Sequence, residues 1–164
     1  MGNIKIGKLL EFVQDVKQPW WRYIPCTFLI AFIPSTLISI ALGLIVPESS
    51  SVKFGKLTVG LILSLALIAP LLETLIMWPV ISGIQRIGVK RPIIVAGISA
   101  LVWAVFHSLQ TPVWGLTIGW SFFIFSLCFV SWKTVSNIKA YLMTFSVHAI
   151  QNSLAVGYLL LRGG

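Results

Sequence analysis

Four polar side chains stand out in apolar stretches of this chain: Glu73, His107, His148 and Asn152. A carboxylate can take a proton from water, an imidazole can donate or accept one, and an amide can donate hydrogen bonds. Such a set is suited to acid–base chemistry, with the carboxylate as a candidate general base. His148 and Asn152 are four residues apart, so a helix carries both on one face. Glu73 lies between Pro70 and Pro79. In regular α-helical register these prolines free the carbonyls of Ala66 and Leu75. The break is either a simple bend or a local opening that admits water beside the acid.

The elements that must position these residues follow from composition. The 164 residues are 57% hydrophobic and 10% charged, with a mean hydropathy of +0.96. Sixteen charged residues, twelve basic and four acidic, cannot cover a water-soluble surface, and so apolar a chain is not disordered. Charge-poor stretches mark membrane spans, each needing roughly 20 apolar residues. The expected fold is all-α: a polytopic membrane helix bundle of about five transmembrane helices. The spans fall at about 24–46, 57–85, 92–109, 113–132 and 140–161. The uncharged stretch Pro92–Trp132 is too long for one helix and divides at Gln110-Thr111-Pro112. Alternating apolar and polar residues, the mark of a β-barrel, are not seen.

Residues 3–18 read as an interfacial amphipathic helix. Ile6, Leu9, Leu10, Val13 and Val16 recur at helical spacing, with Lys5, Lys8, Glu11 and Asp15 around the rest of the wheel. The stretch has neither the apolar core nor the small-residue site of a cleavable signal peptide. No repeat or long linker divides the chain, so residues 1–164 read as a single membrane domain.

Basic residues suggest the orientation. Nine lie on one side: Lys5, Lys8, Lys17, Arg22, Arg86, Lys90, Arg91, Lys133 and Lys139. Three lie on the other: Lys53, Lys56 and Arg162. The bias puts the N-terminus in the cytoplasm and predicts an inner aromatic belt of Trp20, Trp21, Tyr23 and Trp132. The net charge of +8 suits contact with anionic membrane lipid. Scattered in short loops, these charges form no nucleic-acid-binding patch. Cys26 and Cys128 are expected to be reduced thiols buried near inner ends of spans.

Glu73 is the one acid within a span, and no Lys or Arg lies in its own or a neighbouring span. Intramembrane ionisable groups are costly and mark functional sites. Counting along each helix puts Glu73 roughly 20 Å from the inner end, His107 about 22 Å, His148 about 13 Å and Asn152 about 20 Å. Three helices thus bring the four residues to a common layer.

Three motifs in order resemble the CPBP family of intramembrane proteases, which includes the CAAX proteases and the Abi bacteriocin-processing proteins. The first is Ala69-Pro70-Leu71-Leu72-Glu73-Thr74-Leu75-Ile76-Met77-Trp78. The second is Trp103-Ala104-Val105-Phe106-His107, an aromatic residue four before a histidine. The third is His148-Ala149-Ile150-Gln151-Asn152. The resemblance covers roughly residues 58–157. It departs from the family pattern at Thr74, where the family has a second glutamate, and at Trp78, where it has an arginine. The resemblance implies an intramembrane endopeptidase acting on a peptide or protein substrate, including a lipid-modified one. Glu73 and His107 would activate the water, and His148 and Asn152 would bind the oxyanion.

A metal-free mechanism uses Asn152 best. The alternative is a zinc-like divalent ion held by Glu73, His107 and His148. Two other functions stay open. One is a catalytically impaired immunity or scaffold protein of the same fold, for which Thr74 and Trp78 speak. The other is a proton-coupled transporter with a Glu/His relay, which predicts a second broken helix that the sequence lacks. Convergence of Glu73, His107 and His148 on one small pocket distinguishes catalysis from a relay.

Overall fold

Prolines set where three of the helices begin. A proline at the first helical position loses an N–H that has no helical partner anyway. In the computed structural model, which describes residues 6–46 and 57–161, Pro19 immediately precedes one helix, and Pro92 and Pro112 open two others. The elements are α1 (Ile6–Gln14), α2 (Trp20–Gly43), α3 (Val59–Arg86), α4 (Pro92–Ser108), α5 (Pro112–Lys133) and α6 (Asn137–Leu161). No strand occurs among the described residues. The protein is an all-α helical bundle. Thr58 caps α3, its Oγ1 accepting from the Leu61 N–H at 3.2 Å. Gly88, with φ +96°, lies just beyond its other end, where a left-handed residue readily closes a helix.

Among the described residues three helices, α2, α3 and α5, are long and apolar enough to cross a membrane. This is fewer than the five spans expected. Helix α4 ends one residue short of the expected span and has only 17 residues. Helix α6 has 25 residues, but His148, Gln151 and Asn152 lower its hydropathy. These are the residues that make α6 interesting chemically. The turn at residues 109–111 separates α4 from α5, as the Gln-Thr-Pro signal requires.

Helix α5 is the central post. Of its apolar stretch 56% is buried, against 17% in α2 and 11% in α3. Small residues let neighbours approach it closely, as is usual where lipid gives helices no hydrophobic reason to associate. Gly115 lies against the Ala104 carbonyl and Ser108 Oγ of α4. Polar ties run from α5 to the other helices. Trp120 Nε1–H donates to the Ile30 carbonyl of α2 at 2.8 Å. Ser126 Oγ donates to Ser99 Oγ of α4 at 2.9 Å. Ser121 Oγ lies 2.6 Å from Ser35 Oγ of α2 and accepts from Gln151 Nε2 of α6 at 2.6 Å. Lys133 Nζ reaches Ser82 Oγ and Gln85 Oε1 of α3, both at 2.8 Å.

The N-terminal helix is shorter than expected, ending at Gln14. Asn3 and Lys5 lie outside the described residues, as do Glu48, Lys53, Lys56 and Arg162. Asp15 ends α1 in a turn: Gln18 Nε2 donates to its Oδ2 at 2.7 Å and Lys17 N to its Oδ1 at 3.1 Å. These two donors, Gln18 first, hold the Asp15 carboxyl below its usual pKa. Helix α1 docks on the bundle, with Val13 fully buried and Leu10, Phe12 and Val16 packed on the core.

This docking corrects the expected aromatic belt. Trp20 and Trp21 are exposed, but Tyr23 and Trp132 are core residues that meet edge to face at 5.2 Å. The Tyr23 hydroxyl donates to the Val13 carbonyl at 2.6 Å. Helix α1 covers this end of the bundle, so rings that would otherwise face the interface are enclosed. Both cysteines are free thiols; Cys128 is buried and Cys26 half-buried.

Candidate active site

Helix α3 carries the acid, and its local geometry is irregular. Ser64–Ile68 form a π-helical turn within it. The Ala69 N–H donates to the Ser64 carbonyl, five residues back. In that register the next donor, residue 70, would serve the Leu65 carbonyl, but residue 70 is proline and has no N–H. The carbonyl opposite Pro70 is therefore Leu65, not Ala66 as regular helical spacing implies. Asn152 of α6 supplies the missing donor, its Nδ2 lying 2.9 Å from the Leu65 oxygen.

Two turns further on, Glu73 faces two imidazoles. Its Oε2 lies 3.4 Å from His148 Nε2 of α6, and its Oε1 lies 3.8 Å from His107 Nε2 of α4. Three helices thus meet at one carboxylate, each histidine addressing a different oxygen. The expected convergence of Glu73, His107 and His148 is present. Side-chain exposure grades across the group: 23% at Glu73, 12% at His107 and 3% at His148. The acid is the accessible member and His148 the back wall. Among the described residues no Lys or Arg forms an ion pair with Glu73.

Hydrogen bonding fixes one tautomer. His107 Nδ1 lies 2.9 Å from the Trp103 carbonyl. A carbonyl can only accept, so Nδ1 carries the proton. In the neutral ring Nε2 then turns a lone pair toward Glu73. The partner four residues before His107 serves through its backbone oxygen, and its indole also lies tilted against the imidazole at 6.1 Å. His148 Nδ1 has no hydrogen-bond partner.

Aromatic rings hold both imidazoles. Phe125 stacks on His148 at 4.5 Å, and Phe122 meets the same ring edge-on at 5.4 Å. Phe122 also touches His107 at 5.1 Å and stacks on Trp103 at 4.9 Å. Trp114 meets His107 edge-on at 4.8 Å. Phe122, Phe125 and Trp114 all come from α5. The sequence offers no sign of them, because aromatic residues within an apolar span look like any other lipid or core contact. Their only local clue is the three-residue spacing that puts Phe122 and Phe125 on one helix face.

Asn152 shares the His148 face of α6, as expected, but its amide donates to backbone. The same face therefore contacts α3 twice, at Glu73 and at Leu65. Thr74, next to the acid, is fully buried, and its Oγ1 has no hydrogen-bond partner. Trp78 packs against the core.

Among the described residues no group of three or more His, Cys, Asp or Glu side chains could hold a metal ion. Glu73 engages each of the two histidines with a separate oxygen. Chemically, the group offers an accessible carboxylate, an imidazole acceptor beside it and a second imidazole behind.

The chain matches no protein-family model, no curated protein and no solved structure.

Proposed function

We propose that this protein is an intramembrane endopeptidase of the CPBP type, cleaving peptide bonds with a glutamate-activated water. The observation that carries the reading is the carboxylate of Glu73 with one imidazole Nε2 on each oxygen, at 3.4 and 3.8 Å. A 3.8 Å gap between two acceptors is too long for a direct hydrogen bond and suits a bridging water. That water would donate one proton to Glu73 Oε1 and the other to His107 Nε2.

Glu73 takes a proton as the water oxygen attacks the scissile carbonyl carbon, and the carbonyl oxygen becomes an oxyanion. His148 Nε2–H donates to that oxyanion, the contribution usually worth most in acyl transfer. Collapse of the intermediate breaks the C–N bond. Glu73 returns its proton to the leaving nitrogen, which restores the carboxylate. The substrate is a peptide or protein reaching the site from the membrane. The closeness of both imidazoles to one carboxylate supports catalysis over an extended proton relay. The basic bias of the loops supports an N-terminus in the cytoplasm.

A second reading is a catalytically impaired immunity or scaffold protein of the same fold. It is favoured by Thr74 and Trp78, which supply neither the second carboxylate nor the guanidinium of the resembled motif. The experiment that separates the readings is a proteolysis assay in liposomes with membrane-peptide libraries. The wild type should cleave, and Glu73→Gln, with an unchanged unfolding profile, should not. Equal cleavage by both would end the protease reading, and no cleavage by the wild type favours the second.

A further inference from the structure

Asn152 and Pro70 are separated by 82 positions in sequence, yet one backbone oxygen links them. The π-helical turn Ser64–Ile68 shifts the hydrogen-bond register of α3 so that Leu65 looks to residue 70 for its donor. Pro70 cannot provide it, and Asn152 Nδ2 does, at 2.9 Å. A carbonyl left without a partner inside a membrane is costly. A π-turn is rare and tends to occur at functional sites. It inserts one residue into the helical count, which turns everything beyond it by about 100° around the helix axis. Glu73 lies five residues past the end of that turn, on the segment whose rotation it sets. On α6, Asn152 lies one helical turn from His148, which faces Glu73 itself at 3.4 Å.

We infer that Asn152 is a positioning residue: it stabilises the π-turn opposite Pro70 and so aims Glu73 at His107 and His148. Its role is to hold the helix that carries the acid rather than to bind the oxyanion. The effect on cleavage rests on the protease reading, whereas the register of α3 does not.

The test uses a second site. Replacing Pro70 with alanine gives Leu65 a backbone N–H and removes its need for Asn152. Asn152→Leu is therefore made in both the Pro70 and the Pro70→Ala proteins, full length, in liposomes. In the Pro70 background it should lower kcat about tenfold or more with KM little changed, as expected for an orphaned buried acceptor. In the Pro70→Ala background the same substitution should cost less than about threefold, because the acceptor is already satisfied. An equal loss in both backgrounds overturns the proposal and is what an oxyanion donor would give.

A second readout needs no activity. The infrared carboxyl band of Glu73, identified by its loss in Glu73→Gln, should shift with Asn152→Leu and return with added Pro70→Ala. The unfolding midpoint in detergent should fall and recover in parallel. A band and midpoint that respond identically to Asn152→Leu in both backgrounds overturn the inference even if the protein cleaves nothing. Recovery of both in a protein without protease activity supports the positioning role and rejects only the protease reading.

Discussion

His148 Nε2 and Glu73 Oε2 lie 3.4 Å apart although 75 positions separate them in the chain, and the imidazole is almost fully enclosed. Phe125 lies flat on its ring and Phe122 meets its edge. An imidazole held this way has little freedom to leave the carboxylate. If it donates to an oxyanion, His148→Ala should lower kcat about 10²–10³-fold, the usual effect of removing one such donor. His107→Ala should cost about 10²-fold or more through loss of the water acceptor. Cleavage rates at saturating substrate check both, and a His148→Ala protein as fast as wild type would remove His148 from the mechanism.

Phe122 is the ring shared by both histidines and Trp103. It is 3% exposed. Phe122→Ala should destabilise the protein by about 3–5 kcal/mol and Phe122→Leu by less, because leucine leaves a smaller cavity. Denaturation in mixed micelles measures the difference. Cleavage should fall in the same order as the walls around both imidazoles loosen. Equal stability of the two variants would show that the site collapses around the loss.

Gly115 is where α5 meets α4 most closely. A Cβ there would run into the Ala104 carbonyl and Ser108 Oγ. A backbone oxygen cannot swing aside as a flexible side chain can, so Gly115→Ala should cost about 1–3 kcal/mol. It should also displace Trp114 and the His107 ring against it. Gly119→Ala is the matched control, since nothing lies within 4 Å of its added Cβ. Similar unfolding midpoints for the two variants would contradict the close approach.

Tyr23 holds α1 to the bundle through a 2.6 Å hydrogen bond to the Val13 carbonyl. Tyr23→Phe leaves that carbonyl unsatisfied, at a cost of about 1–3 kcal/mol. Hydrogen–deuterium exchange of residues 6–14 should accelerate, while exchange in α5 stays unchanged. Uniform acceleration would mean that α1 docking and bundle stability are one cooperative unit.

Several helix limits are legible in local sequence, because those boundaries have a local cause. Pro92 and Pro112 start helices, and Gln110-Thr111 separates two. Glu73, His107, His148 and Asn152 are conspicuous for a similar reason: a polar group in an apolar stretch is an energetic exception visible without neighbours. The shared layer of Glu73, His107 and His148 also follows from counting residues along a helix, whereas Asn152 meets α3 two turns away, at Leu65.

The partners were not legible. Phe122 and Phe125 carry no polarity signal, and only the central position of α5 brings them to the imidazoles. Tyr23 and Trp132 read as interface residues because enclosure by α1 depends on how that helix docks. The carbonyl opposite Pro70 also required the tertiary structure, since a shift from four-residue to five-residue spacing is invisible in a list of residues.

By itself the sequence determined which groups are too polar for their surroundings, since burial cost depends on residue type and on the apolar length around it. Tertiary structure decided what each group faces. Direction around a helix axis depends on the hydrogen-bond register, and in α3 that register depends on an amide from α6. Asn152 therefore looked like a partner of the chemistry and is instead bonded to the helix that carries Glu73.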